Sequence, residues 1–204
     1  MRASDLQEYS RTSNKIDKIL TAKGYKKLGA GVDQTAYLEP GTGLVLKVFG
    51  TQGGESFSPD HKMFFAWAKY CMKNSKNPFL PKFSGYESFV LDGDRYLQIR
   101  QEVLQPAGHM GQILEVMATA VEDDDIQNLN KLEDYIDYYF EQYQDGYQRL
   151  QKRLGPEQTQ LMLSTIRNLH SLAQKSGYSS DLHKGNFMRR SDGTPVIVDP
   201  WVVN

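Results

Sequence analysis

The side chains best suited to chemistry stand in two short runs: Asp181-Leu182-His183-Lys184-Gly185-Asn186, directly after a helix stop, and Val196-Ile197-Val198-Asp199, a carboxylate at the end of an apolar strand. Oxygen donors of this kind serve phosphate-bound divalent metal. Two earlier features fit the same chemistry. Lys47 lies in Leu44-Val45-Leu46-Lys47, a cation within an apolar strand, where an ammonium is costly unless it faces anions; a lysine on an edge is the alternative. The turn Leu28-Gly29-Ala30-Gly31-Val32-Asp33-Gln34 places glycines between two strands, where backbone N–H groups approach a polyphosphate closely. A plain glycine hairpin is the alternative there. The order of the four features, more than any one of them, argues against coincidence.

The elements that must hold these residues are legible from punctuation and periodicity. Ser4 to Ala22 reads as a helix, with Ser4 and Gln7 as a capping box and Gly24 as its stop. Three short β-rich runs follow, around Tyr25–Leu28, Thr35–Leu38 and Leu44–Phe49, separated by Gly- and Pro-bearing turns. Ser58-Pro59-Asp60 opens a helix running to about Lys73, and Asn77-Pro78 forces an exit. Strands are expected at Phe83–Leu91 and Arg95–Val103, joined by Asp92-Gly93-Asp94. From Gly111 to about Arg153 the apolar spacing is helical, and a last helix runs from Pro156 to Lys175, closed by Gly177. The composition shifts from β-rich to α-rich near residue 105. The expected class is α+β with two lobes: residues 1–104, carrying an extra N-terminal helix, five antiparallel strands and one helix, and residues 105–204, helical with the two chemical loops.

Composition removes several classes of function. The 204 residues carry 24 Lys+Arg against 25 Asp+Glu, a net charge of -1 with no global field toward nucleic acid or anionic lipid. Neither nucleic acid nor membrane is expected as a partner. No secretory h-region and no apolar stretch of about 18 residues is present, so the chain reads as cytosolic. The single cysteine, Cys71, lies in an apolar-periodic run and reads as a core thiol. The acidic group Glu122-Asp123-Asp124-Asp125 reads as a solvated loop and helix N-terminus, and the tyrosines from Tyr135 to Tyr147 as an amphipathic helix face. His183 reads as an orienting group beside Asp181, His170 as packing on its helix, and Tyr178 as packing against that helix.

Taken in order, these motifs resemble the protein-kinase-like superfamily, including its aminoglycoside and choline phosphotransferase branches, over roughly residues 25 to 201. Gly29 and Gly31 match two of three loop glycines, Lys47 the strand lysine, Asp181 and Asn186 the catalytic loop, and Asp199 the metal aspartate. The form Asp181-Leu182-His183-x-Gly185-Asn186, with Leu169-His170-Ser171-Leu172 before it, is closer to the small-molecule branch. The resemblance implies ATP and Mg2+ as cofactors, bound in a cleft between the lobes. Asp181 would accept the proton of an acceptor hydroxyl attacking the γ-phosphorus, Asn186 and Asp199 would hold Mg2+, and Lys47 would neutralise the α and β phosphates. Gly29, Ala30 and Gly31 would cover the phosphates. Glu102, Val103 and Leu104, in the run from Gln101, would bond the adenine through the backbone.

Several positions depart from that pattern. Gln34 replaces the third loop glycine, and the helix from Pro59 to Lys73 contains no Glu to pair with Lys47, leaving Glu55, Asp60 or no partner. Ser179-Ser180 replace His-Arg, and Pro200-Trp201 replace Phe-Gly, which makes control by a phosphorylated activation segment improbable. With the sequence ending at Asn204, the expectation is a reduced helical lobe lacking a peptide-binding platform, its apolar surface covered by a second copy or a partner protein. The expected function is a minimal ATP-dependent phosphotransferase, similar to some encoded by bacteriophages, acting on a hydroxyl of a host protein or a small molecule. Two alternatives stand beside it: a nucleotide-binding pseudokinase that engages a partner, and transfer of AMP in place of phosphate.

Overall fold

The computed structural model describes residues 15–30, 34–50, 58–91, 93–124 and 126–203. Ser4, Gln7, Gly31, Glu55, Asp92 and Asp125 lie outside the described residues. The chain is α+β and divides into two compact units, one formed by residues up to Ser75 with Pro81–Val103, the other by Lys76–Leu80 with Leu104 onward.

The first unit is a five-stranded antiparallel sheet with a helix on each face. Its strands are β1 (Lys26–Ala30), β2 (Gln34–Leu38), β3 (Leu44–Gly50), β4 (Phe83–Leu91) and β5 (Asp94–Glu102), in the order β1-β2-β3-β5-β4. Alternation along β3 decides what each face carries. Leu46 and Val48 join Tyr37 and Tyr96 in a buried cluster with Ile16, on the helix of residues 15–22 (α1). Asp17 on α1 accepts hydrogen bonds from the Tyr37 hydroxyl and the Lys27 ammonium, which fixes the helix against β1 and β2. The opposite face carries Phe49, whose ring meets Phe64 at 4.8 Å and His61 at 5.5 Å on α2 (Pro59–Lys73). Ser58 caps α2 by accepting from the His61 N–H, and Pro59 fits its first turn, where no N–H is needed. Cys71 is buried on this helix, and burial pushes its thiol well above the ordinary range, so it is inert core.

The second unit packs α3 (His109–Asp124), α4 (Leu129–Tyr139), α5 (Gln144–Leu154) and α6 (Pro156–Ser176), with two small sheets carrying the loops of interest. One sheet joins β6 (Gln105–Pro106), β8 (Phe187–Arg189) and β9 (Pro195–Ile197); the other pairs β7 (Tyr178–Ser180) with β10 (Trp201–Val203). Gly177, at φ 74° in the left-handed region, ends α6 and turns the chain directly into β7. The segment Lys76–Leu80 belongs here because Arg190 donates to the carbonyls of Pro78 and Leu80, Asn77 donates to Thr165 Oγ1 at 2.9 Å, and Phe79 is fully buried. The acidic group does not open a helix: Glu122 and Asp123 lie in the last turn of α3, where Tyr135 donates to Asp123 Oδ2 at 3.2 Å. The tyrosines also split. Tyr135 and Tyr147 are buried, whereas Tyr138 and Tyr139 are exposed.

One polar knot in the first unit is sensitive to pH. Glu39 accepts from Tyr25 at 2.8 Å, Arg100 at 3.1 Å and Thr42 at 2.9 Å. Desolvation is the largest single influence and raises its carboxyl, but the three hydrogen bonds and the Arg100 charge together outweigh it and hold the group below its ordinary value of 4.5. A carboxyl depressed by folding stabilises above its unfolded value, and that stabilisation is lost as pH falls through the folded value. Glu39→Gln is therefore expected to destabilise by about 1–2 kcal/mol at neutral pH. Urea unfolding of wild type and variant should show this gap closing below pH about 4.5; a gap independent of pH would mean the charge contributes nothing.

Candidate functional site

In the second unit the backbone itself gathers the predicted residues. The β7–β10 ladder pairs Ser180 with Trp201, and the next rung is the Asp181 N–H donating to the Pro200 carbonyl at 2.8 Å. On the other side, the Val198 N–H donates to the Asn186 carbonyl at 2.9 Å. Residues 198 and 200 are thus bound to Asn186 and Asp181, and Asp199 is the residue between them. The side chains complete the knot: Asn186 Nδ2 donates to the Asp181 carbonyl oxygen at 2.7 Å and to Asp181 Oδ2 at 3.0 Å. Because the amide nitrogen is committed to Asp181, the Asn186 oxygen is the atom left for another partner.

Local chemistry explains why the loop holds this form. His183 Nδ1 accepts from the Gly185 N–H at 3.0 Å and caps the short turn Lys184–Asn186, whose closing bond runs from the Asn186 N–H to the His183 carbonyl at 2.9 Å. The other ring nitrogen, Nε2, stands 3.8 Å from Asp181 Oδ2. His170 lies on α6, taking a hydrogen bond from Gln174 at 2.8 Å, with Nδ1 3.4 Å from Glu122 Oε1. Trp201 donates its indole N–H to the Leu169 carbonyl at 3.0 Å, and Tyr178 stacks on the indole with centroids 6.1 Å apart. Helix α6 is thereby bonded to the strand that follows Asp199.

The remaining predicted residues lie in the first unit or at the boundary. Lys47 is half-buried on β3, on the α2 face of the sheet, with its ammonium 4.9 Å from the centre of the Phe64 ring. Strand register places Gly29, Ala36, Lys47 and Ile99 in one row. The two residues on the β1 side of Lys47 are therefore the smallest available, and a Cβ on Gly29 would meet nothing within 4 Å. Ala30 is the last residue of β1, opposite Thr35. Asp60 is exposed in the first turn of α2. Glu102 ends β5, where its carboxylate accepts from the Lys82 N–H at 2.8 Å and its own N–H donates to the Lys82 carbonyl at 3.0 Å. Val103 is the last residue of the first unit, and Leu104 opens the next stretch of the second.

Two groups received no side-chain role in the reading of the sequence, where Gln101 only opened the run assigned to the adenine and Glu122 only belonged to the acidic group. Gln101, 5% exposed, lies on the same sheet face as Lys47 with its Oε1 buried and without a hydrogen-bond partner. Its signal was a polar residue at a buried position of an alternating strand. The second group is on α3, where Glu115, Thr119 and Glu122 line a pocket beside Ser180, Asp181 and His183. Their spacing of four and three was visible inside an otherwise apolar helix. Among the described residues, no cluster of three or more His, Cys, Asp or Glu side chains is arranged to hold a metal ion by itself. The oxygen donors of Asn186 and Asp199 nonetheless suit Mg2+, which binds through one or two protein oxygens and completes its shell with water and phosphate.

No protein-family model matches the chain, and no curated protein matches it. Among solved structures, the chain is similar to a ROP18 kinase domain determined in complex with AMP-PNP and sucrose, at 16% identity and a TM-score of 0.38 over 94% of this chain. The match spans 61% of that chain's length. No helix among the described residues is long and apolar enough to cross a membrane.

The turn that carries Asn186 is set by a close approach of α3. A Cβ added at Gly111 would lie 2.9 Å from the Lys184 carbonyl oxygen, a backbone atom with no side-chain freedom to move away. Gly111→Ala is expected to cost about 1–3 kcal/mol in denaturant unfolding and to displace the Asn186–Asp181 contact. An unchanged midpoint would show that α3 and the turn separate freely.

Proposed function

We propose that this chain is an ATP-dependent phosphotransferase of the protein-kinase-like superfamily, moving the γ-phosphate of Mg·ATP to a hydroxyl group. The observation that carries the reading is the hydrogen-bonded knot joining Asp181, Asn186 and the 198–200 segment. In this reading Asp181 takes the proton as the acceptor oxygen bonds to the γ-phosphorus, the bond from that phosphorus to the bridging β–γ oxygen breaks, and ADP departs. Asn186 Oδ1 and the Asp199 carboxylate would hold Mg2+, which supplies charge neutralisation on the phosphate oxygens. Lys47, with room left beside it by Ala36 and Gly29, would meet the α and β phosphates. Gly29, Ala30 and Gly31 would cover them, and the backbone of Glu102–Leu104 would receive the adenine. The work of such a site is positioning and charge placement, with little covalent chemistry for the protein.

A second reading, the nucleotide-binding pseudokinase, is favoured by one observation: α2 contains no Glu, and its one acid, Asp60, is exposed in its first turn. Intact mass after incubation with Mg·ATP and candidate acceptors separates the readings. The expected result is a phosphate-sized addition on the chain or an acceptor. Asp181→Ala should slow it by about 100- to 10,000-fold while ATP binding persists. ATP binding without transfer in the wild type would establish the pseudokinase, and an AMP-sized addition would reassign the transferred group. Asp199→Asn should weaken Mg2+-dependent ATP binding; equal nucleotide affinity with and without Mg2+ in both proteins would remove Asp199 from the metal site.

A further inference from the structure

The ring of His183 has one neutral tautomer open to it. A backbone N–H can only donate, so the bond from the Gly185 N–H at 3.0 Å requires a bare lone pair on Nδ1. The proton of the neutral ring therefore sits on Nε2, which makes that nitrogen a donor. Gly185 also sets the place of the ring. A Cβ there would come within 2.6 Å of Cε1 and 3.1 Å of Nδ1, so the imidazole lies against the turn only because this position has no side chain. The His183 carbonyl accepts from the Asn186 N–H at 2.9 Å, and one three-residue turn thus holds both the ring and the backbone that carries it. Nε2 stands 3.8 Å from Asp181 Oδ2, beyond a direct hydrogen bond but close enough for a polarised N–H to favour negative charge on that oxygen. Oδ2 already accepts from Asn186 Nδ2 at 3.0 Å, whereas Oδ1 accepts no hydrogen bond among the described residues. The two oxygens of Asp181 are therefore inequivalent: donors face one, and the other is left for a proton.

We infer that His183 is a positioning residue for Asp181: fixed as the Nε2–H tautomer by its bond to Gly185, it holds Oδ2 as the oxygen facing donors and leaves Oδ1 to receive the proton of the acceptor hydroxyl. The clause on Oδ1 rests on the phosphotransferase reading; the fixed tautomer and its place beside Asp181 do not. Capping the turn uses only Nδ1, so a role confined to the cap would leave Nε2 without consequence.

The test is nitrogen NMR of the histidine rings in the full chain, at mildly alkaline pH where imidazole is ordinarily neutral, with His183 assigned by the signal that His183→Asn removes. The expected result is a single species with a bare Nδ1 and a protonated Nε2, and a shift of the Nε2 signal in Asp181→Asn. Gly185→Ala, which drives the ring off the turn, should return it to the tautomer mixture of a free side chain. A proton on Nδ1, a tautomer mixture in the wild type, or indifference of Nε2 to Asp181→Asn would overturn the inference. Kinetics test the consequence. His183→Asn keeps an oxygen that can accept from the Gly185 N–H, as asparagine does in turns, but places no donor where Nε2 stood. In the phosphoryl-transfer assay it should lower kcat by about 10- to 100-fold with KM for ATP unchanged. An unchanged kcat would reduce His183 to a cap and overturn the positioning role. A wild-type chain that transfers phosphate to no acceptor and not to itself refutes the phosphotransferase reading and the clause on Oδ1 with it, while the ring signals still decide whether Nε2–H is held beside Asp181.

Discussion

The second unit depends on one constraint: the strand that ends the described chain is hydrogen-bonded to the strand that leaves α6. The β7–β10 ladder runs straight into the Asp181–Pro200 bond, and the Trp201 indole ties the same strand to the Leu169 carbonyl on α6. Asp181 and Asp199 are far apart in sequence, yet each is adjacent to a residue locked in that ladder. Asn186 is tied to Asp181 through its side-chain amide and to Val198 through its backbone carbonyl. The pairing of a mere three-residue ladder is weak by itself. Its strength comes from the buried indole and from α6, whose Leu163, Ile166 and Leu169 are fully enclosed.

The first unit solves a different problem, a cation in an apolar strand. Alternation gives Leu46 and Val48 to the α1 face and leaves Lys47 with Phe49 on the α2 face. The ring of Phe64 offers the ammonium a favourable surface at 4.9 Å without neutralising its charge. Small residues along the row, Ala36 and Gly29, keep the neighbourhood open. The strand lysine is therefore half-buried on the α2 face, with its ammonium over the Phe64 ring.

The elements were legible in the sequence where local chemistry and periodicity agreed. Ser58-Pro59 announced α2, Gly177 announced the end of α6, and the turn residues Asp92-Gly93-Asp94 announced the hairpin of β4 and β5. The two small sheets of the second unit were not legible, apart from the apolar run ending in Asp199. Strands of two or three residues carry too little periodicity to register, and their pairing joins residues far apart in the chain. Residue types and spacing named Asp181, Asn186 and Asp199, but the bonds that gather them run through backbone groups, which any sequence possesses. The acidic group at 122–125 was misplaced for a related reason: an acid suggests a helix N-terminus by its favourable dipole interaction, yet packing of Ala118, Ala120 and Val121 carries α3 onward through Asp124.

The acids of the second unit therefore fall into two sets with different physics. Asp181 is bonded to the strand segment that contains Asp199, and the Asn186 amide nitrogen is committed to Asp181. Oxygen donors such as the Asn186 and Asp199 side chains suit a small hard cation. Glu115 and Glu122 are separated by two turns of helix, with small residues between them and a histidine near only one. Asp181 belongs to both sets, since it is bonded to Asn186 and also lines the pocket that Glu115 and Glu122 border. In the phosphotransferase reading proposed above, Asp181 is the group that would take the proton of the acceptor hydroxyl.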